Sequence, residues 1–340
     1  MKVWAIQGPK KHKRFSGINK ATMACKKQDP NLLKLEISVD NFAVSARRYF
    51  LTHAHLDHMK QLKANFGEKR HKAKIWCTRV TADLAKITVD GLKEKDFSII
   101  TYEDPVHLSS EPLQDSCHGS DVIVYAFPSY HCDGAAMFLF EIQQLRILYT
   151  GDFRFRESMR ANDVFGDFMI DRLYIDDTFN EIEIPYPTYE ETVKEILVIL
   201  VEHKRVNIHC AILGLEPLLR DIAQTLDIQY GLLPSLRETW RGEQLEYLLE
   251  EHLSPNQILN VNLGNHKHET DEKIPWIIPS CTWFLCNSKH QEKKPKNHFY
   301  VFFSTHSNQI ENTKMKVLIG AKEVHHCDVA IQPKQLKCAQ

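Results

Sequence analysis

The chain has 340 residues, 43% of them hydrophobic and 26% charged, and a formal net charge of −1. That is the length of one large domain or two ordinary ones and the composition of a soluble globular protein. No apolar run approaches the ~18 residues of a membrane span, the N-terminus lacks the apolar core of a secretory signal, and nine irregularly spaced cysteines make no disulfide framework. A reduced, intracellular protein without a membrane segment is therefore expected. The charge is unevenly spread: 18 Lys+Arg against 5 Asp+Glu in residues 1–80, 12 against 24 in residues 151–280, and 9 against 4 in residues 281–340. Two basic ends around an acidic middle would set a cationic surface beside a phosphate backbone, although Lys10, Lys11, Lys13 and Arg14 are equally the composition of a solvated tail.

In chain order, Tyr49–Thr52 and Lys74–Cys77 are predicted strands and Asp121–Phe127 a longer one. Ala136–Ile142 and Arg146–Thr150 flank a short polar turn, as in a hairpin, and Leu173–Asp176 is a further apolar run ending on acid. The character changes at Ile184–Pro187. Thr188 with Glu191 three residues on predicts a capping box, and helices are predicted over Thr188–His203, Gly214–Leu226 and Gly242–Leu253. Strand character returns near Phe299–Ser304, with Val324–Gln332 as the last candidate strand. The pattern is mixed α/β, with a helix-rich insertion in a first domain that the C-terminal segment completes.

The strongest chemical signal is Thr52-His53-Ala54-His55-Leu56-Asp57-His58, after a strand and before an expected helix. In extended chain, alternate residues share a side, so His53, His55 and Asp57 converge and His58 reaches a neighbouring point. Imidazole and carboxylate are natural zinc ligands, and four within six residues are poor core filler. His131, after the strand Asp121–Phe127, and Asp152, after Arg146–Thr150, stand just beyond strand ends, where α/β proteins place their chemistry. Each alone reads as an ordinary polar residue. With the cluster they make a ligand set large enough for two ions.

These residues carry a resemblance. His-x-His-x-Asp-His, the later His131 and Thr150-Gly151-Asp152-Phe153-Arg154 resemble the second to fourth motifs of the metallo-β-lactamase superfamily, and Asp40 in Ser38-Val39-Asp40-Asn41-Phe42 resembles the first. The resemblance implies an α/β fold of the αββα sandwich type. It implies that His53, His55 and His131 hold one Zn2+, that Asp57 and His58 hold a second position open to Mg2+ or Mn2+, and that Asp152 bridges. Tyr174-Ile175-Asp176-Asp177-Thr178-Phe179 resembles the acidic motif opening the inserted β-CASP domain of nucleic-acid-processing members, with Asp177 in place of a threonine. Asp176, rather than glutamate, favours DNA over RNA. Pro279-Ser280-Cys281-Thr282-Trp283 and Ser304-Thr305-His306-Ser307 resemble stretches of the DNA-repair nucleases of this family. The division implied is a first part of the metallo-β-lactamase domain over 1–180, the β-CASP insertion over 181–297 and a returning part over 298–340.

Within that family the chain is most similar to the Artemis branch. Exonucleases of the Apollo branch keep a Gly-Lys-Glu stretch that holds a terminal 5′ phosphate, and here Gly214-Leu215-Glu216 has no lysine to supply a charge-assisted bond. One Artemis feature, an extra His/Cys zinc site in the insertion, is missing: the corresponding positions hold Gly231, Asn260 and Asn262. His266, His268, Cys281 and Cys286 fit no standard zinc spacing and read as surface or core residues. The expected activity is a zinc-dependent, structure-selective DNA endonuclease processing hairpins and overhangs in double-strand-break repair. Its expected partners are single-strand/double-strand junctions and a repair-kinase or ligase complex, its expected site the nucleus. Asp40 and Asp176 would orient ligand imidazoles, His306 would contact or protonate the scissile phosphate, and Ser304 and Ser307 would bond phosphate oxygens or cap a loop. The alternatives are an Apollo-like 5′→3′ exonuclease, an RNA 3′-end endonuclease, a thioesterase-like hydrolase and an inactive scaffold of the same fold.

Overall fold

The computed structural model describes residues 27–63, 66, 70, 73–108, 121–161, 169–183, 185–268, 273–286 and 297–327. Strands β1 (Ile37–Val39), β2 (Arg48–Phe50), β3 (Lys74–Cys77) and β4 (Phe97–Ile99) form a parallel sheet in that order. A second sheet takes β5 (Val106–Leu108), β6 (Val122–Pro128), β7 (Ala136–Ile142), β8 (Leu145–Tyr149) and β9 (Arg172–Ile175) in sequence. The two sheets meet face to face: Phe50 packs edge-on against Phe138 and Phe140 with ring centroids 5.2 and 4.9 Å apart, within a core that also holds Val39, Val124 and Tyr149.

The outer faces are covered by helices. Helix Arg79–Thr88 lays Ala82, Leu84 and Ala85 on the first sheet, against Tyr49, Ile75 and Cys77. Helix Gln309–Ile319 lays Met315 and Ile319 on the second, against Met137, Leu148 and Leu173. The layering is helix, sheet, sheet, helix: the expected αββα sandwich.

A third sheet is built from β10 (Val206–His209), β11 (Tyr230–Leu232), β12 (Leu253–Ser254), β13 (Val261–Gly264), β14 (Trp276–Pro279) and β15 (His298–Val301), in the order β12-β11-β13-β10-β14-β15, every pair parallel. The sequence predicts helices here and, before residue 298, no strands. These strands are two to four residues long and mostly buried, so they lack the polar alternation that marks a half-exposed strand. Strand β15, near the predicted Phe299–Ser304 run, pairs with β14 at the sheet edge. Last, β16 (Glu323–His326) adds parallel to β9, so the C-terminal segment ends in the second sheet; the rest of the predicted Val324–Gln332 strand lies outside the described residues.

Helix Tyr189–Glu202 starts on the capping box, with the Thr188 hydroxyl accepting the Glu191 N–H and the Glu191 carboxylate accepting the Thr188 N–H. The predicted Gly214–Leu226 helix begins at Glu216, because Gly214 has φ +120°. The predicted Gly242–Leu253 helix is shifted to Trp240–Leu248, and Leu253 already belongs to β12. Around and after His58, residues 56–61 form turns and Phe66 is helical; the rest of the segment where a helix is expected lies partly outside the described residues. No helix of the described residues is long and apolar enough to cross a membrane.

Candidate metal centre

Every predicted ligand, and each acid or histidine expected to work beside them, follows the carboxyl end of a strand. Asp40 follows β1, the His53–His58 segment follows β2, His131 follows β6, Asp152 follows β8, Asp176 follows β9, and His306 returns after β15. Local backbone strain fixes several of these turns. Asp40 and Tyr130 lie in the left-handed region at φ 49° and 56°, a conformation that a bulky residue such as tyrosine adopts only under constraint. Gly151 has φ +53°, and a Cβ there would come within 2.7 Å of Thr52. The glycine lets the strand carrying Asp152 close onto the loop carrying His53.

Three imidazoles meet at one point. His55 Nδ1 is 3.0 Å from His53 Nε2 and 2.9 Å from His131 Nε2. Their other nitrogens fix the tautomers. His55 Nε2–H donates to the Leu213 carbonyl at 3.1 Å, and His131 Nδ1–H donates to the Thr305 carbonyl at 2.9 Å. The Thr52 hydroxyl gives its hydrogen to Asp40 Oδ2 at 2.6 Å, which leaves its oxygen to accept from His53 Nδ1–H at 3.0 Å. Each ring has then used its one N–H outward. Three lone pairs face one another across 3 Å, an arrangement that repels unless a cation sits among them. Tetrahedral coordination at zinc–nitrogen distances sets ligand nitrogens about 3.3 Å apart, so the donor set fits a metal. Asp152 Oδ2 is 3.6 Å from both His53 Nε2 and His131 Nε2.

The charges agree with this. Burial, reinforced by the neighbouring imidazoles, holds His53 and His131 well below the usual histidine range. Burial lowers His55 too, against the pull of Asp57 and Asp152. All three stay neutral, the form that ligates. Across the cluster the sign reverses. Burial opposes charging of His58, but Asp152 and Asp40 overcome it and raise the ring well above its ordinary value. His58 donates Nδ1–H to Asp40 Oδ2 at 2.9 Å, and its Nε2 faces Asp152 Oδ1 at 3.3 Å. His306 likewise donates Nδ1–H to Asp176 Oδ2 at 2.9 Å and points Nε2 at Asp152 Oδ2, 3.9 Å away. Against burial, Asp176 and Asp152 push its pKa up to about 9. The Asp57 carboxyl is held low, against burial, by His58 and His55.

Among the described residues two groups of potential ligands result, His53–His55–His131–Asp152 and Asp152–Asp176–His306, sharing Asp152. The resemblance pairs Asp57 with His58 instead. Asp57 acts on His55, His58 and His306 through its charge and stands in neither group. Asp40 accepts from Thr52 N–H, Thr52 hydroxyl and His58, and so holds two rings in place. Ser304 donates to the His306 carbonyl, and Ser307 accepts from Phe155 N–H and donates to the Phe153 carbonyl. Both hydroxyls are engaged in fixing the His306 loop beside Asp152.

Sequence reasoning missed what the third sheet contributes. The turn after β10 brings the Leu213 carbonyl to His55, and a Cβ on Gly214 would lie 2.8 Å from Thr305 Cγ2 and 3.2 Å from the His131 carbonyl. Glu216 holds this turn by accepting the Gly214 N–H at 2.8 Å while it pairs with Arg241; both side chains are buried. Leu215 packs into the core of the third sheet and does not wall the cleft. Asn262 fills the space beside Gly231, bonding the backbone of Leu259. The only sequence signal for any of this is the glycine.

No family model matches the chain. Protein artemis of Mus musculus is 32% identical over 219 residues, 57% of this chain and 30% of that protein. Protein artemis of Homo sapiens is 31% identical over the same length, covering 57% and 31%. The 5′ exonuclease Apollo of Gallus gallus is 28% identical over 252 residues, 71% of this chain and 50% of that protein. The chain thus matches about a third of the artemis proteins and half of Apollo. The crystal structure of a protein of unknown function from Enterococcus faecalis V583 superposes with TM-score 0.56 at 14% identity, covering 85% of this chain and 77% of that one, a likeness of fold.

Proposed function

We propose, with Artemis and Apollo as homologues of the chain, that the protein is a metal-dependent phosphodiester hydrolase acting on DNA, and within that class a structure-selective endonuclease. The observation that carries the reading is the set of three mutually facing imidazole lone pairs beside a carboxylate that belongs to two ligand groups. His53, His55, His131 and Asp152 would hold one divalent ion, most simply Zn2+, and Asp152 with Asp176, His306, Asp57 or His58 a second. Ions bound there lower the pKa of water and offset charge on phosphate oxygens. Where Asp57 and His58 rather than His306 take the second ion, His306, protonated at neutral pH beside Asp176, would hydrogen-bond a phosphate oxygen or hand its Nε2 proton to the leaving oxygen. Asp40, Ser304 and Ser307 hold rings and loops rather than substrate.

The third sheet with helices 189–202, 216–226 and 240–248 would be the inserted domain, and helix Gln309–Ile319 with β16 the returning part of the first. The return then falls after β15, a few residues past position 298. Hairpins and strand junctions are the proposed substrates and double-strand-break repair in the nucleus the proposed setting, with a repair-kinase or ligase complex as partner. An exonuclease is the second reading, favoured by the longer match to Apollo.

The test is cleavage of hairpin, overhang, single-stranded, 5′-phosphorylated and 5′-hydroxyl DNA, with and without chelator. Internal cuts at hairpin tips and junctions, independent of the 5′ phosphate, are expected. Stepwise release of mononucleotides from phosphorylated ends, with hairpins untouched, moves the protein to the exonuclease reading. Full activity in chelator removes the metal from the mechanism.

A further inference from the structure

We infer that Arg156 is a seat for a backbone phosphate of the nucleic-acid strand, at the rim of the metal cluster and away from the scissile bond. The inference rests on the DNA reading above. The stretch after Asp152 is extended, with Phe153 and Phe155 buried, so Arg154 and Arg156 take the opposite side. Arg154 N–H donates to the Ser129 carbonyl at 3.0 Å, which lays this stretch along the turn that carries Tyr130 and then His131.

The two arginines differ in what their side chains meet. Arg154 donates to the Ser304 carbonyl at 3.0 Å and pairs with Glu311 at 3.0 Å, so its charge and part of its fork are spent within the protein. The Arg156 guanidinium lies 5.1 Å from the Tyr130 ring centroid and 4.8 Å from that of Tyr189. Tyr189 opens the helix 189–202, and its hydroxyl is tied to Asp221 at 2.6 Å. Arg156 is thus held by one ring from each lobe. Among the described residues it has no hydrogen-bond or ion-pair partner. Arg205 also has none, but it precedes β10, at the opposite end of that strand from the Leu213–Gly214 turn.

Contacts with ring faces leave the N–H edge of a guanidinium available, and that edge matches two phosphate oxygens. Being held in advance, it loses little freedom when it binds. Lysine in its place would keep charge but not the planar fork. The groove beyond Tyr189 sets Glu190 and Asp221 against a single cation, Lys194, a net negative lining that disfavours a polyanion, so the strand passes Arg156 on the Tyr130 side, the side of His131.

The test uses the metal-loaded protein and a hairpin DNA under single-turnover conditions, separating half-saturation from the maximal rate. Arg156→Gln should raise the half-saturation concentration about ten- to a hundredfold, the worth of a charged hydrogen bond, with the maximal rate nearly unchanged. The slope of log half-saturation against log salt should fall by about 0.7–0.9, one phosphate contact, and Arg156→Lys should restore the slope. Replacing backbone phosphates one at a time by neutral methylphosphonate should identify one linkage whose loss weakens the unsubstituted protein but not Arg156→Gln. If Arg156→Gln lowers the melting temperature while slope, half-saturation and linkage pattern stay as they were, Arg156 only clamps the two tyrosines, and the inference is overturned. If the unsubstituted protein neither binds nor cuts DNA, the nuclease reading itself fails and takes this assignment with it.

Discussion

Histidines cluster at the strand ends of both lobes, and they do different things there. In the first lobe, His53, His55 and His131 send their N–H groups outward to Thr52, Leu213 and Thr305 and turn their lone pairs on one another. In the third sheet, His209 Nδ1 and His266 Nδ1 are 3.0 Å apart, and the His266 backbone N–H also points at His209. Burial takes His209 down to about 3 and His266 to about 4, so both are neutral and one donates to the other. Proximity and depressed basicity are common to both places. What separates them is where the hydrogens go: a pair can share one proton, whereas three outward-donating rings leave a hole of negative potential that only a cation fills.

Four measurements break or sharpen this contrast. The largest effect is expected from Asp152→Asn, which removes the charge common to both ligand groups: bound metal and DNA cleavage should both fall below detection while circular dichroism stays native. Next, Glu216→Gln leaves Arg241 buried without its counter-charge and should destabilise the protein by about 3–5 kcal/mol; a denaturant titration showing less than about 1 kcal/mol would mean that the pair does not hold the Gly214 turn. Asp40→Asn, which touches rings and not the ion, should weaken metal affinity by about 10–100-fold, read by competition with a chromogenic chelator. Last, His266→Asn should cost about 1 kcal/mol, one hydrogen bond, and leave metal content unchanged. Loss of metal in that variant would sink the distinction between the two regions.

Acidity offers a further test on the metal-free protein. His306 has its folded pKa raised from 6.5 to about 9, chiefly by Asp176 acting against burial. The stability from this pair is fully present below about pH 6.5 and is lost as pH rises through about 9. Melting temperature should therefore decline between those values, and His306→Asn should flatten that decline. An equal decline in both proteins would show that another group titrates.

Much of the first lobe was legible in the sequence because its signals are local. Lys74–Cys77 and Ala136–Ile142 are strands as predicted, and Thr188 with Glu191 caps its helix. His53, His55, His131 and Asp152 fall together because each stands just past a strand end. What stayed hidden depends on groups that have no sequence signature. Backbone carbonyls of Leu213 and Thr305 set two ring tautomers, and any residue has a carbonyl. The Arg241–Glu216 pair lies 25 positions apart in a stretch that reads as ordinary acidic helix. A strand as short as Leu253–Ser254 shows no periodicity to detect. Leu215, which stands where the exonucleases keep a lysine, faces the core of the third sheet, and nothing in its sequence neighbours gives that away.

The bond from His131 to the Thr305 carbonyl spans 174 positions, and it bears on how the protein is made. A chain leaving the ribosome exposes His53, His55 and His131 long before residue 305 has been joined. Until then His131 has no partner to direct its hydrogen away from the cluster, and either tautomer is open to it. Firm capture of an ion there would wait until the third sheet has supplied Leu213 and the returning segment has supplied Thr305. A nascent chain stalled before that point should bind metal loosely and exchange it freely, so an ion there would act as a clasp between segments already folded rather than as a nucleus for folding them.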